Sequence, residues 1–182
     1  AEALSAFLLD ELLASGTTTA AVYCSVHRRS AEAFFAESHR RNTRMIAGKV
    51  MMDRNAPDAL RDTPESGYAD SQALIARWHG RGRQLYAITP RFAITSSPEQ
   101  LEAAGQLVRE HPDCHVQTHL SENRAEIEYT LSLYPKARDY LDIYDTYGLL
   151  SDRSLLGHSI HLEPREIARM AETGSRAVFC PT

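Results

Sequence analysis

Apolar and polar positions along the chain fall into two alternating patterns. Residues 17–24 are a continuous, β-branched run, the signature of a strand buried on both faces. Residues 1–14 before it and 30–41 after it read as helices, the second with Ser30 as its expected N-cap. Residues 44–52 form the next apolar run. Thr63-Pro64-Glu65 then opens a helix running towards Gly80, with proline at its first position. A short strand over 84–89 is expected to stop at Pro90. Ser97-Pro98-Glu99-Gln100 combines a serine cap, a first-turn proline and a glutamine at the third position, and predicts a helix to about Glu110. Residues 115–119 are strand-like, 123–134 and 137–147 helical, and Gly148 ends the second helix. Residues 154–158 predict a strand, 164–173 a helix closed by Gly174, and 177–180 a last strand.

A strand followed by a helix, repeated about six times, implies an α/β fold with a parallel sheet and right-handed crossovers. A complete (β/α)8 TIM-type barrel needs about 250 residues, more than the 182 here. The expectation is therefore the central portion of one barrel domain, with its first and last elements outside these residues.

Composition narrows the function classes. A hydrophobic share of 43% supports a packed core, and a net charge of −4 gives no electrostatic footprint for nucleic acid. No apolar run approaches the roughly 18 residues of a membrane span. The three cysteines, Cys24, Cys114 and Cys180, are odd in number and far apart. They predict buried thiols and a reducing cytoplasm, not a disulfide framework.

Catalytic groups in parallel α/β folds sit at the carboxyl ends of strands. His119 ends one predicted strand and His158 the next, with Glu122 between them in sequence. Neutral imidazoles are good zinc ligands, and a neighbouring carboxylate can shuttle the proton of an activated water. A catalytic zinc takes at least three protein ligands. His161 is a weak third candidate, better suited to a surface or supporting role. His27 either lines the pocket or lies in a solvated loop. His39, His79, His111 and His115 fall where no catalytic role is expected. Arg91 offers planar donors, and Phe92 beside it can wall off a planar ring. Asp53 could position a loop.

Taken in order, Gly16-Thr17-Thr18-Thr19, Gly48-Lys49-Val50-Met51-Met52-Asp53, Thr89-Pro90-Arg91-Phe92, His119-Leu120-Ser121-Glu122-Asn123, Ser132-Leu133-Tyr134-Pro135 and Phe179-Cys180-Pro181-Thr182 resemble the guanine deaminases of the amidohydrolase superfamily. The Thr-Pro-Arg-Phe and His-Leu-Ser-Glu-Asn elements carry the specificity of that likeness. It implies a metal-dependent hydrolase barrel in which His119 and His158 bind zinc and Glu122 moves protons between the activated water and the purine. Arg91 would hold the guanine carbonyl oxygen and Phe92 would wall the base. A zinc-activated water would replace the amino group at C2, giving xanthine and ammonia. The resemblance also implies a homodimer and further ligands outside these residues: a His-x-His pair after the first barrel strand and an aspartate after the last. Any flanking β-sandwich would likewise lie outside. The 182 residues alone are accordingly expected to bind zinc weakly and to support no useful turnover.

Two other readings stand beside it. One is another deaminase of the superfamily, acting on S-adenosylhomocysteine, a triazine or cytosine. The other is an inactive barrel scaffold, since fold does not dictate function. The cytidine-deaminase signature, with its Pro-Cys-x-x-Cys, is absent: Cys180-Pro181 runs in the opposite order.

Overall fold

Parallel pairing runs through the whole sheet of the computed structural model, which describes residues 1–180. In chain order the elements are α1 (Glu2–Ala14), β1 (Thr19–Tyr23), α2 (Arg28–Arg40), β2 (Arg44–Gly48), β3 (Val50–Met51), α3 (Pro64–Trp78), β4 (Leu85–Pro90), α4 (Pro98–Glu110), β5 (His115–Leu120), α5 (Arg124–Leu133), α6 (Tyr140–Thr146), β6 (Ser154–His158), α7 (Pro164–Thr173) and β7 (Arg176–Val178). The strand order is β1-β2-β4-β5-β6-β7, with β3 also on β4. The alternation expected from the sequence is thus the α/β architecture observed.

The sheet is bent into part of a barrel. Gln117 on β5 donates from Nε2 to the Val22 carbonyl on β1 at 3.0 Å, although β1 lies three strands away. The same amide donates to Thr89 Oγ1 on β4, also at 3.0 Å, so Gln117 ties the inner wall together. Outside the sheet the helices bury an aromatic layer in which Phe35 stacks on Trp78 and Tyr86 at centroid distances of 5.8 and 6.1 Å.

Local signals set the element ends. Thr63, Ser97 and Asn123 each accept a hydrogen bond from the third helical N–H of α3, α4 and α5. Gly174 ends α7 in the left-handed conformation at φ 73°. Other expectations need correction. Ser30 does not cap α2, which starts two residues earlier, after His27; its Oγ instead accepts the Ser25 N–H. Gln100 does not complete a capping box, because its amide turns away to Asp62 Oδ1. β4 does end at Pro90, although Pro90 itself is the last paired residue, opposite Met51. The helix expected from 137 begins at Tyr140, after the N-cap Asp139. The last strand lies at Arg176–Val178, and Phe179 beyond it is exposed. Pro181 and Thr182 lie outside the described residues.

The run over 44–52 is one strand interrupted. Both β2 and β3 pair with β4 in the same register (Ala47 with Tyr86, Val50 with Thr89), and the break falls at Lys49. Gly48 precedes it because a Cβ there would lie 1.8 Å from the Ala87 carbonyl oxygen. Lys49 is only 1% exposed and is ion-paired with Asp62, itself 7% exposed. Asp62 Oδ1 also accepts the Met52 N–H at 3.0 Å and the Gln100 amide at 2.8 Å. One carboxylate therefore binds the strand break to α4. Removing one partner of a buried pair strands the other charge, so Asp62→Ala should cost about 3–5 kcal/mol in chemical denaturation. A loss under about 1 kcal/mol, the range of a surface ion pair, would show that the pair does not hold the break.

Candidate metal centre

Register alone would keep the two strand-end histidines apart. His119 lies opposite Gly157, and His158 opposite Leu120. Side chains alternate along a strand, so His119 and His158 belong to opposite faces of a regular sheet. The backbone breaks that rule. His158 and the following Ser159 adopt positive φ values of 67° and 53°. Such conformations cost roughly 1–3 kcal/mol each in a non-glycine residue. The turn brings the His158 ring alongside the His119 ring, with centroids 5.4 Å apart and planes inclined at 30°. Hydrogen bonds hold it there: the Ser159 N–H donates to the Leu120 carbonyl at 2.8 Å, and the Ile160 and His161 N–H groups both donate to the Ser121 carbonyl.

His119 has a defined tautomer. Its Nδ1 lies 2.8 Å from the Arg91 carbonyl oxygen, which can only accept. Nδ1 therefore carries the proton, and Nε2 keeps its lone pair. Burial lowers the pKa of His119 below the ordinary histidine value, with the charges of His158 and Arg91 acting the same way and the bond to the Arg91 carbonyl opposing them. The ring is thus neutral and ready to donate. Tyr23 on β1 packs on it at 4.8 Å, and Phe92 meets it edge-on at 6.0 Å. Glu122 Oε2 lies 3.6 Å from His158 Nε2. Two imidazole nitrogens suit zinc, and the nearby carboxylate can serve a zinc-bound water; a catalytic zinc takes three protein ligands, so this pair needs at least one more.

The structure thus brings together four expected residues: His119, His158 and Glu122 at the core, with Phe92 against His119. Arg91 joins them on the rim, its guanidinium 4.8 Å over the Phe92 ring. Two weaker candidates go elsewhere. His27 is exposed at the start of α2. His161 lines a separate cleft with Arg124, Glu128, Arg138 and Glu163. Asp53 does hold a loop, accepting both the N–H and the hydroxyl of Ser97 at the head of α4.

Among the described residues, one cluster of three potential ligand groups has its atoms within 4.8 Å of one another: His79, Asp113 and Cys114, at the opposite end of the strands. Its chemistry argues against a metal. His79 Nδ1 accepts the Tyr86 N–H at 3.0 Å, so Nε2 carries the proton and faces Asp113 at 3.1 Å. Burial pushes the Cys114 thiol up to about 12. Cys24 is buried as expected, while Cys180 is only half-buried.

Tyr144 on α6 is a supporting residue that no sequence pattern marks. It is fully buried, and burial pushes its hydroxyl up to about 12. That hydroxyl donates to the His119 carbonyl at 2.8 Å and accepts the Ala93 N–H at 3.0 Å. It therefore joins the end of β5 to the segment following Arg91 and Phe92.

The sequence matches the Amidohydrolase family over residues 1–182, and the chain belongs to that family. It is 54% identical over 182 residues to guanine deaminase of Escherichia coli (strain K12). The alignment covers all of this chain and 42% of that protein, so the chain spans about two-fifths of the length of the relatives it matches. A solved structure of E. coli guanine deaminase superposes with a TM-score of 0.98, over 100% of this chain and 42% of that one. A guanine deaminase from C. acetobutylicum, solved with guanine bound in the active site, is 30% identical with a TM-score of 0.90, over 97% of this chain and 42% of that one.

Tyr144→Phe keeps the ring but leaves the Ala93 N–H without its acceptor. A buried donor so orphaned costs about 1–3 kcal/mol. Denaturation should show a loss of that size, whereas unchanged stability would mean that the hydroxyl is not a junction between the two segments.

Proposed function

We propose that the protein hydrolyses guanine to xanthine and ammonia, with His119 and His158 as ligands of a zinc ion and Glu122 as the acid–base group. The observation that carries this reading is the meeting of those three side chains at the ends of adjacent strands. The sequence likeness to proteins named as guanine deaminases, one of them solved with guanine bound, supplies the substrate. When bound, zinc supplies the Lewis acidity that makes water a competent nucleophile at neutral pH.

The chain's own groups perform the rest. The Arg91 carbonyl keeps the His119 lone pair on Nε2, facing away from the β4 backbone. At C2 of guanine a bond to oxygen forms and the bond to the amino nitrogen breaks. Both protons of the water end on nitrogen, one on the ring and one on the departing ammonia. Glu122, beside His158, is placed to take up and deliver each in turn. The Arg91 guanidinium offers planar donors to the guanine carbonyl oxygen. Phe92, beneath that guanidinium, walls a flat ring. Three free thiols suit a reducing cytoplasm, and a homodimer is the assembly that the family resemblance implies.

The direct test is the loss of guanine and formation of xanthine, followed spectrophotometrically with the natural full-length gene product. Glu122→Gln should lower kcat by about 10²–10⁴-fold, the usual value of a positioned acid–base group. Release of ammonia from cytosine or a triazine, with none from guanine, would overturn the substrate assignment.

A further inference from the structure

Glu122 can serve both proton transfers only if its backbone does not swing, and the structure contains a device that prevents this. The segment joining β5 to α5 is three residues long: Ser121, Glu122 and Asn123. Ser121 is buried and left-handed, at φ 50°. The peptide unit between Ser121 and Glu122 is held on both edges. Its carbonyl accepts the N–H groups of Ile160 and His161, at 3.2 and 3.1 Å. Its N–H donates to Glu126 Oε2 at 3.1 Å. A peptide plane bonded at both edges cannot rotate without breaking one of them, and its orientation fixes the N–Cα bond from which the Glu122 side chain departs.

Glu126 is more than the third residue of a capping box. A box of that kind closes on the N-cap N–H alone, and Glu126 does reach that group, on Asn123, at 3.4 Å. Its shorter bond goes one residue further back, to Glu122. The side chain is also enclosed: it is 8% exposed, and Oε1 is buried with no hydrogen-bond partner among the described residues. Burying a carboxyl group with one oxygen unpaired is unfavourable, and helix capping alone does not require it. The oxygen that is used points at the residue that faces His158.

We propose that Glu126 is a positioning residue: its carboxylate locks the 121–122 peptide and so aims Glu122 at the His158 side of the site. This rests on the role given to Glu122 above. Tyr144 joins the His119 and Phe92 segments, whereas Glu126 bonds the Glu122 and Asn123 amides. Its loss should therefore fall mainly on proton transfer and less on metal binding, which it reaches only through the Ser121 carbonyl that receives the loop after His158.

The test compares Glu126→Ala, Glu126→Asp and Glu126→Gln in the natural full-length gene product loaded with zinc. Alanine removes the acceptor, aspartate is one methylene too short to reach, and glutamine keeps an acceptor oxygen at the same distance. For alanine and aspartate, kcat on guanine should fall by about 10–100-fold, the usual cost of losing such a supporting contact. KM should stay as in the unaltered protein, zinc affinity should fall by less than kcat does, and glutamine should restore most of kcat. Hydrogen exchange of the Glu122 amide supplies a readout independent of turnover. That amide should be protected in the unaltered protein and in Glu126→Gln, and should exchange at least about tenfold faster in the other two.

Aspartate and glutamine both conserve polarity in the pocket, so one of the pair decides the matter if alanine fails to fold. Equal exchange of the Glu122 amide in all variants would overturn the proposal, as would a kcat loss shared by glutamine and tracking thermal stability alone. If the unaltered protein does not act on guanine, the reading of function fails. The exchange measurement still decides whether Glu126 holds Glu122.

Discussion

A single carbonyl oxygen, that of Arg91, sets the chemistry of this site. It lies just after β4 and accepts both the backbone N–H of His119 and the ring Nδ1–H of the same residue. The first bond fixes where His119 stands, and the second fixes which of its nitrogens is free. Because that oxygen belongs to Arg91, the segment after β4 that carries the rim arginine also orients the imidazole. Burial adds to this by keeping the ring neutral. Without the Arg91 contact, His119 would be one more histidine at a strand end.

The other half of the site depends on broken regularity. An undistorted β6 would send His158 to the helix side of the sheet, beside Leu120. Two successive left-handed residues turn it back. The Ser121 carbonyl then receives the loop that follows, and the Glu122 N–H on the same peptide is taken by Glu126. The ends of β5 and β6 therefore constrain one another through a few backbone groups. Local strain at a strand end is offset by hydrogen bonds that also aim the side chains, a distribution typical of functional sites.

Much of this was legible in the sequence. The capped helices at Thr63 and Ser97 announce themselves through short-range hydrogen-bonding residues, and the position of His119 and His158 at strand ends follows from run lengths. What could not be read depends on contacts distant along the chain. Lys49 sits inside an apolar run and reads as strand; only the Asp62 side chain, 13 residues on, accounts for the break there. Ser30 looks like a cap, but the Ser25 N–H claims its oxygen. Tyr144 has no local mark, because its three hydrogen-bonding partners come from β5 and the segment after β4. Glu126 lies between these cases. The Asn-x-x-Glu spacing identifies a capping box, yet nothing in it reveals that the longer reach goes to Glu122.

The central claim is that His119 and His158 share one divalent ion within reach of Glu122, and anomalous scattering at the zinc edge tests it most directly. Crystals of the zinc-loaded protein should give a peak about 2.1 Å from His119 Nε2 and from a ring nitrogen of His158, the usual zinc–imidazole distance. A peak at His79, Asp113 and Cys114 with none between the two imidazoles would contradict the account.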